Sequence, residues 1–302
     1  DEGIKEAECV VVNLNEDKEK ALNVALNKIS GDWDKDKLAL LMTDLQASDL
    51  DVSLTGFDEN EISDLLGTAD NTHDDDFDVD SELNKPTFSK TGDIWHLGRH
   101  TLLCGDATRK ESYQRLLGDH QVNLVLTDPP YNVDYSSKAG KIKNDHQTDD
   151  KFYQFLLAAF QNTNQAMAND ASIYVFHADT EGLNFRRAFQ DAGFYLSGCC
   201  IWVKNSLVLG RSDYQWQHEP VLYGFLQNGK HYWSKTAGRS QTTIWNFDKP
   251  KKNKNHPTSK PLDLLAYPIG NSSQENAIVL DTFGGSGSTL MTCGKPNRIC
   301  YT

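Results

Sequence analysis

Apolar positions in the first 67 residues recur at helical spacing. Ala21, Leu22, Val24, Ala25, Leu26 and Ile29 make one face of a helix that the Asn15 cap starts and that runs through residue 29. Leu38, Leu41, Met42 and Leu45 mark a second helix over 34–46 and read as core positions. A third spans 58–66, where Asp58 and Glu61 stand at capping-box spacing. Past residue 92 the period changes. Short apolar runs at 101–104, 122–127, 172–176, 195–203, 221–225 and 277–280 read as strands, with helical runs at 108–118, 150–168, 180–191, 262–268 and 286–293. Strands alternating with helices of this length predict an α/β fold: a Rossmann-like, mostly parallel sheet with helices on both faces, preceded by a small, mainly helical region. Ligands of such sheets bind beyond the carboxyl ends of the strands.

At 302 residues the chain has room for one large domain and a smaller one. Between the two patterns lies "GTADNTHDDDFDVD", acidic, rich in small residues and with nothing to bury. This divides the chain into a helical region at 1–67, an acidic linker at 68–92 and the α/β domain at 93–302. The net charge of −13 argues against a nucleic-acid partner until its distribution is seen. Residues 1–85 hold 24 Asp/Glu against 7 Lys/Arg, whereas residues 86–302 hold 19 against 23. Lys230 to Lys260 carry eight Lys/Arg and one acid, Asp248, with Tyr232, Trp233, Trp245 and Phe247 interleaved. Such a segment suits phosphate contacts with base or sugar stacking, or else is a solvated loop. Six cysteines without zinc or CxxC spacing, no secretory leader and no long apolar span point to a reduced, soluble, cytoplasmic protein without a membrane partner or bound metal.

Two stretches carry the candidate chemistry. In "NLVLTDPPYNVDY" an apolar strand climbs to Asp128 and is halted by Pro129 and Pro130 before Tyr131. The prolines alone could simply end the strand. In "AIVLDTFGGSGST" a strand ends in Asp281 and passes Phe283 into Gly284, Gly285, Ser286 and Gly287 before a helix. Glycines let main chain approach a ligand, and the helix start offers free amides. The spacing is not the Gly-x-Gly-x-x-Gly of a dinucleotide site, so a nicotinamide enzyme fits poorly.

Together the two stretches resemble the paired motifs of the amino-methyltransferases that modify exocyclic amines of DNA bases with S-adenosylmethionine. Asp128, Pro129, Pro130 and Tyr131 match the family's catalytic motif; Phe283, Gly285 and Gly287, with Asp281, Gly284 and Ser286 around them, match its cofactor loop. The order, catalytic motif first, is that of the beta class, with target recognition expected within 136–255. "HPTSKP" resembles the segment whose lysine helps hold the methionine carboxylate, which points to Lys260; "LLCGDAT" resembles the motif whose acid lies near the cofactor's adenine, which points to Asp106. "GRSDYQWQHEPVLYG" resembles a further family block in which His218 and Glu219 are structural or functional. The first 67 residues resemble the tail of a ParB-like domain, as fused to some phage and prophage methylases.

The resemblance implies base flipping in double-stranded DNA and direct methyl transfer to adenine N6. Cytosine N4, whose enzymes more often carry Ser at the position of Asp128, and a non-catalytic DNA-binding adaptor stay open. Candidate DNA contacts are Lys138, Lys141, Lys143, Arg211, Lys230, Lys249, Lys251, Lys252 and Lys254. A homodimer and a cognate restriction enzyme accompany some relatives; the sequence specifies neither. The chain starts at Asp1 and stops at Thr302 in an apparent strand, so both ends are expected to be cut from something longer. In the family that strand leads to an acid that holds the ribose hydroxyls.

Overall fold

A computed structural model describes residues 14–27, 38, 41, 42, 45, 52–57, 61, 88–133, 136–137, 140–141, 147–209, 213–238, 240–248 and 260–302. The chain divides into two compact units, Asp1–Asp78 and Val79–Thr302. In the first, α1 (Glu16–Asn27) begins where Asn15 Oδ1 accepts the Lys18 N–H at 3.0 Å, as expected of an N-cap. Ala21 and Val24 are buried with Leu38, Met42 and Leu45, and Leu41 and Phe57 pack against them. Leu26 departs from the predicted face. It lies across the helix from Ala21 and Val24 and is 67% exposed. Leu38, Leu41, Met42, Leu45 and Glu61 are helical, and the rest of the second and third predicted helices and residues 67–87 lie outside the described residues.

Among the described residues, the second unit is built on a nine-stranded sheet. Its strands are β1 (Ile94–Leu97), β2 (His100–Leu103), β3 (Val122–Thr127), β6 (Met167–Phe176), β7 (Phe194–Val208), β8 (Trp216–Leu226), β9 (Ile244–Asn246), β10 (Ile278–Leu280) and β11 (Ile299–Tyr301); β4 (Ser136–Ser137) and β5 (Gly140–Lys141) form a separate two-stranded sheet. The order is β1-β2-β11-β10-β3-β6-β8-β7-β9. From β2 through β6 every pairing is parallel, and β8 enters antiparallel between β6 and β7.

The helices α2 (Lys110–Leu117), α3 (Asp149–Ala166) and α4 (Gly182–Asp191) share one core with Val125, Ile173 and Val175. The opposite core joins α5 (Leu262–Ser272) and α6 (Ser288–Gly294) to Leu124, Leu126, Tyr174 and Phe176. Successive residues of β3 and β6 therefore point into different cores, which is why these strands read as unbroken apolar runs. Phe152, Phe160, Phe185 and Phe189 are fully buried on the first face, each stabilising the fold by roughly 1.5–3 kcal/mol.

All six predicted strands and the five helical runs of this unit are present, with ends shifted by a few residues. β1 and β9 were not expected from the pattern. β1 is exposed along its length and exists as the antiparallel partner of β2. β9 exists because Ile244, Trp245 and Asn246 pair with Ile201, Trp202 and Val203 of β7. That pairing also corrects the stacking reading of the basic segment. Trp245 is 5% exposed, its Nε1 donates to Thr242 O, and its ring packs on Tyr174 and Tyr267. Phe247 packs on Tyr267 as well, so these two aromatics belong to the core rather than to a nucleic-acid surface.

The strands β7 and β8 outrun the sheet. β6 pairs with β8 only from Ser172 opposite Phe225 to Phe176 opposite Val221, while β7 and β8 continue to Val208 opposite Trp216. This overhang projects past the carboxyl end of β6 and carries Lys204, His218 and Glu219. Among the described residues no helix is long and apolar enough to cross a membrane, and Cys104, Cys199, Cys200, Cys293 and Cys300 are free thiols.

Candidate active site

The parallel strands β3 and β10 are neighbours, so the residues that follow them meet at one rim. Thr127, the last residue of β3, donates its hydroxyl to Asp281 Oδ1 at 3.0 Å and lies 3.1 Å from Thr282 Oγ1. Phe283 packs on Phe155, with ring centroids 5.8 Å apart. The Asp-Pro-Pro-Tyr stretch and the glycine loop, far apart in sequence, thus stand side by side at the carboxyl edge of the sheet, where the fold class puts ligands.

Pro129 is buried, Asp128 is partly open, and Tyr131 turns its ring edge-on to Phe185. The Tyr131 hydroxyl donates to Asp128 Oδ1 and lies 3.2 Å from Glu219 Oε2. The Lys260 ammonium reaches Asp128 Oδ2 at 2.7 Å, Tyr131 Oη at 3.1 Å and Glu219 Oε2 at 3.1 Å. Behind Glu219 stands Lys204, whose ammonium is 2.6 Å from Glu219 Oε1. Burial would raise the Glu219 carboxyl, but the Lys260 and Lys204 charges outweigh it and hold it down to about 2. Burial opposes the charged form of Lys260 too, and Asp128 and Glu219 overcome this and raise it. Tyr131 is pushed well above its ordinary value by burial and by the two carboxylates, so its hydroxyl stays protonated and donates.

Asp281 differs from these. It is 4% exposed, no ion pair reaches it among the described residues, and its carboxylate accepts from Thr127 and from the Phe283 N–H at 3.1 Å. Burial raises it to about 6, against the hydrogen bonds from Thr289, Phe283 and Thr127. The loop that follows turns through positive φ at Gly285 (+50°) and Gly287 (+78°), the latter capping α6. A side chain would be strained at either, so the main chain stays bare where a ligand can approach. Asp106, just past the end of β2, accepts from the Thr108 N–H and hydroxyl at 2.9 and 2.7 Å. It lines a cavity with Gly105, Tyr113, Leu280, Thr282 and Thr302, next to the start of the glycine loop.

The structure therefore brings together Asp128, Pro129, Pro130, Tyr131, Lys260 and the loop from Asp281 to Gly287, with Asp106 on the adjoining cavity. Lys260, which the resemblance assigns to the methionine carboxylate, turns its N–H donors to Asp128, Tyr131 and Glu219. Sequence does not single out Lys204 and leaves Glu219 between a structural and a functional role. Of the candidate DNA contacts, Lys230 is exposed, but its backbone N–H bonds to Asn169 O near the start of β6, the edge opposite the rim. Lys141 lies in β5; its side chain, and Lys138, Lys143, Arg211, Lys249, Lys251, Lys252 and Lys254, fall outside the described residues.

Several known proteins are similar to this chain. Type II methyltransferase M.HpaI of Haemophilus parainfluenzae is 25% identical over 220 residues, 65% of this chain and 67% of that protein. Type II methyltransferase M.BglII of Bacillus subtilis is 23% identical over 221 residues, covering 61% of this chain and 60% of that one. Among solved structures, the cytosine-N4-specific PvuII DNA methyltransferase superposes with a TM-score of 0.53 at 16% identity, over 67% of this chain and 80% of its own. The M1.HpyAVI–SAM complex superposes at 0.50 with 22% identity, over 65% and 88%. At these identities the structural likeness is one of fold. Residues 36–91 match the ParB-methyltransferase HTH domain, and residues 122–301, more than half of the chain, match the N6/N4 DNA methylases. The chain belongs to that DNA methylase family.

Proposed function

We propose that this chain methylates the N6 amine of adenine in double-stranded DNA, with the target base flipped out of the duplex. The observation that carries the reading is the meeting of Asp128 with the Asp281–Gly287 loop at one rim. S-adenosylmethionine, the family's donor, supplies a methyl group on a sulfonium when bound. The residues present fit such a group. Gly285 and Gly287 leave the main chain bare, Asp106 and Thr282 share the cavity beside them, and the ordered acids Asp128 and Asp281 suit a cationic donor.

The adenine amine is a poor nucleophile because its lone pair is delocalised into the ring. The Asp128 carboxylate and the Pro129 carbonyl are acceptors for its two hydrogens, and engaging both favours tetrahedral nitrogen with its lone pair free. The methyl would pass to nitrogen as its bond to the sulfonium breaks with the electron pair left on sulfur, and the nitrogen would lose one proton to water, so no covalent enzyme intermediate is needed and the cysteines play no part. A carboxylate at position 128 is a stronger acceptor than a hydroxyl would be, and this supports adenine over cytosine. Tyr131 offers a ring beside the extruded base, and stacking of roughly 1–3 kcal/mol offsets much of the flipping cost.

The test is nucleoside mass spectrometry of duplex DNA incubated with protein and S-adenosylmethionine. N6-methyldeoxyadenosine is expected, and it should vanish in a folded Asp128→Ala variant. N4-methyldeoxycytidine would move the target to cytosine. Cofactor-bound protein that yields neither product would leave a DNA-binding adaptor and overturn the proposal.

A further inference from the structure

We infer that Glu219 and Lys204 are positioning residues: they hold the Lys260 ammonium against Asp128, so that the carboxylate meets the base amine in one orientation. The inference rests on the proposed reaction at Asp128 and assigns the overhang of β7 and β8 a part in it.

Four charges of alternating sign run from the interior to the rim. Lys204 Nζ is 2.6 Å from Glu219 Oε1, Glu219 Oε2 is 3.1 Å from Lys260 Nζ, and Lys260 Nζ is 2.7 Å from Asp128 Oδ2. Their side chains are 6%, 19%, 10% and 31% exposed in that order, so Asp128 is the open end of a row that is otherwise covered. A lysine ammonium rides on a flexible four-carbon stem and would wander if Asp128 were its only partner. Glu219 and Tyr131 take its other two N–H groups and remove that freedom. Glu219 with no second cation would compete with Asp128 for Lys260; Lys204 occupies Oε1 and leaves only Oε2 to share.

The outcome at Asp128 is specific. Oδ2 receives one N–H from Lys260 and Oδ1 receives the Tyr131 hydroxyl, each from the covered side. A carboxylate has about four acceptor sites, so its open side keeps room for one amine hydrogen while the Pro129 carbonyl takes the other. The strand register sets up the row. Glu219 stands opposite Trp202, and Lys204, two positions further along β7, reaches it diagonally on the same face.

The full chain carrying Lys204→Met and Glu219→Gln together removes both charges, so neither buried charge is left unpaired. Steady-state transfer from tritiated S-adenosylmethionine to duplex DNA, cofactor affinity and a thermal melt are measured in parallel. We expect kcat to fall about 10- to 100-fold with KM for DNA and cofactor Kd changed less than about threefold, as a small misplacement of a reacting group would give. Lys204→Arg, which keeps the cation, should retain most of the wild-type kcat. A pair that served only to hold the overhang would lower the melting temperature and leave kcat of the folded protein intact; that result overturns the inference. If the double variant does not fold, Glu219→Asp replaces it: the shortened carboxylate retreats from Lys260, and an unchanged kcat again overturns the inference. Wild-type protein that yields no methylated base sinks the reading at Asp128 and this inference with it, whereas wild-type turnover with variants at parity sinks the inference alone.

Discussion

Asp281 and Glu219 are both covered carboxylates at one rim, yet they titrate in opposite directions: burial and the Asp128 charge raise Asp281, which has no cation beside it among the described residues, whereas two cations hold Glu219 down. Asp281, at about 6 against an ordinary 3.8, holds its proton more tightly in the folded chain. Its contribution to stability is therefore full below pH 3.8, is lost as pH rises through about 6, and leaves a constant cost above that. Two pKa units correspond to about 3 kcal/mol. Asn keeps an oxygen to accept from Thr127 and Phe283 and cannot ionise. Asp281→Asn should thus stabilise the fold at about pH 8 by up to about 3 kcal/mol and near pH 4 by little, read from urea unfolding at both pH values. Equal effects at the two values would mean that Asp281 carries no buried charge. Glu219 has the reverse sign: its folded value of about 2 lies below the ordinary 4.5, so its contribution is present above 4.5 and lost as pH falls through about 2. A Glu219→Gln protein should lack that acid-side decline when urea unfolding is followed from about pH 5 down to about pH 2. Sequence displayed Asp128 to Tyr131 and Asp281 to Gly287 because each is a run of consecutive residues with its own turn chemistry. It did not display Lys204 and Glu219 as partners of Asp128, since their meeting depends on a strand register and on Lys260, 132 positions from Asp128.

At the level of elements, helices and central strands were legible because each core-facing position repeats a period of its own. The short β9 was not, since three residues within a polar, basic stretch become a strand only when β7 offers them a ladder. The overhang of β7 and β8 was hidden for the same reason: composition tells that a strand is apolar, not how far it outruns its neighbour. Two substitutions separate these tertiary effects from function. Trp245→Ala should cost about 3–5 kcal/mol of stability by emptying the core between β9 and α5, with DNA affinity of the folded protein unchanged. A loss of DNA affinity without loss of stability would restore the stacking reading of the basic segment. Gly224 of β8 pairs with Leu196 of β7 beside a register shift, and a Cβ there would collide with Tyr195 O and sit 2.9 Å from the Phe189 ring. Main chain cannot give way as a side-chain tip can, so Gly224→Ala should destabilise by about 1–3 kcal/mol or more in the same denaturation assay.

For the whole chain, the sum of charge misleads and its division instructs. The net −13 belongs to the first 85 residues, with 24 acids against 7 bases, and the remainder is basic by four. Asp106, Asp128, Lys204, Glu219, Lys260 and Asp281 all fall within Val79–Thr302, so the unit that holds the site is also the one whose charge favours a polyanion. Phosphate contacts release counterions and weaken steeply with salt, and repulsion by a linked acidic segment acts over about a Debye length, roughly 8 Å at physiological ionic strength. Deleting Asp1–Asp78 should therefore tighten binding of residues 79–302 to duplex DNA at low salt, with the gap closing as salt rises. Fluorescence anisotropy across a KCl series reads both the affinity and the slope of log K against log salt. Because residues 36–91 match an HTH domain, the opposite sign is equally informative. Weaker binding after deletion would mean that direct contacts from the first unit outweigh its charge, and would turn the acidic region from a source of repulsion into a second grip on the DNA.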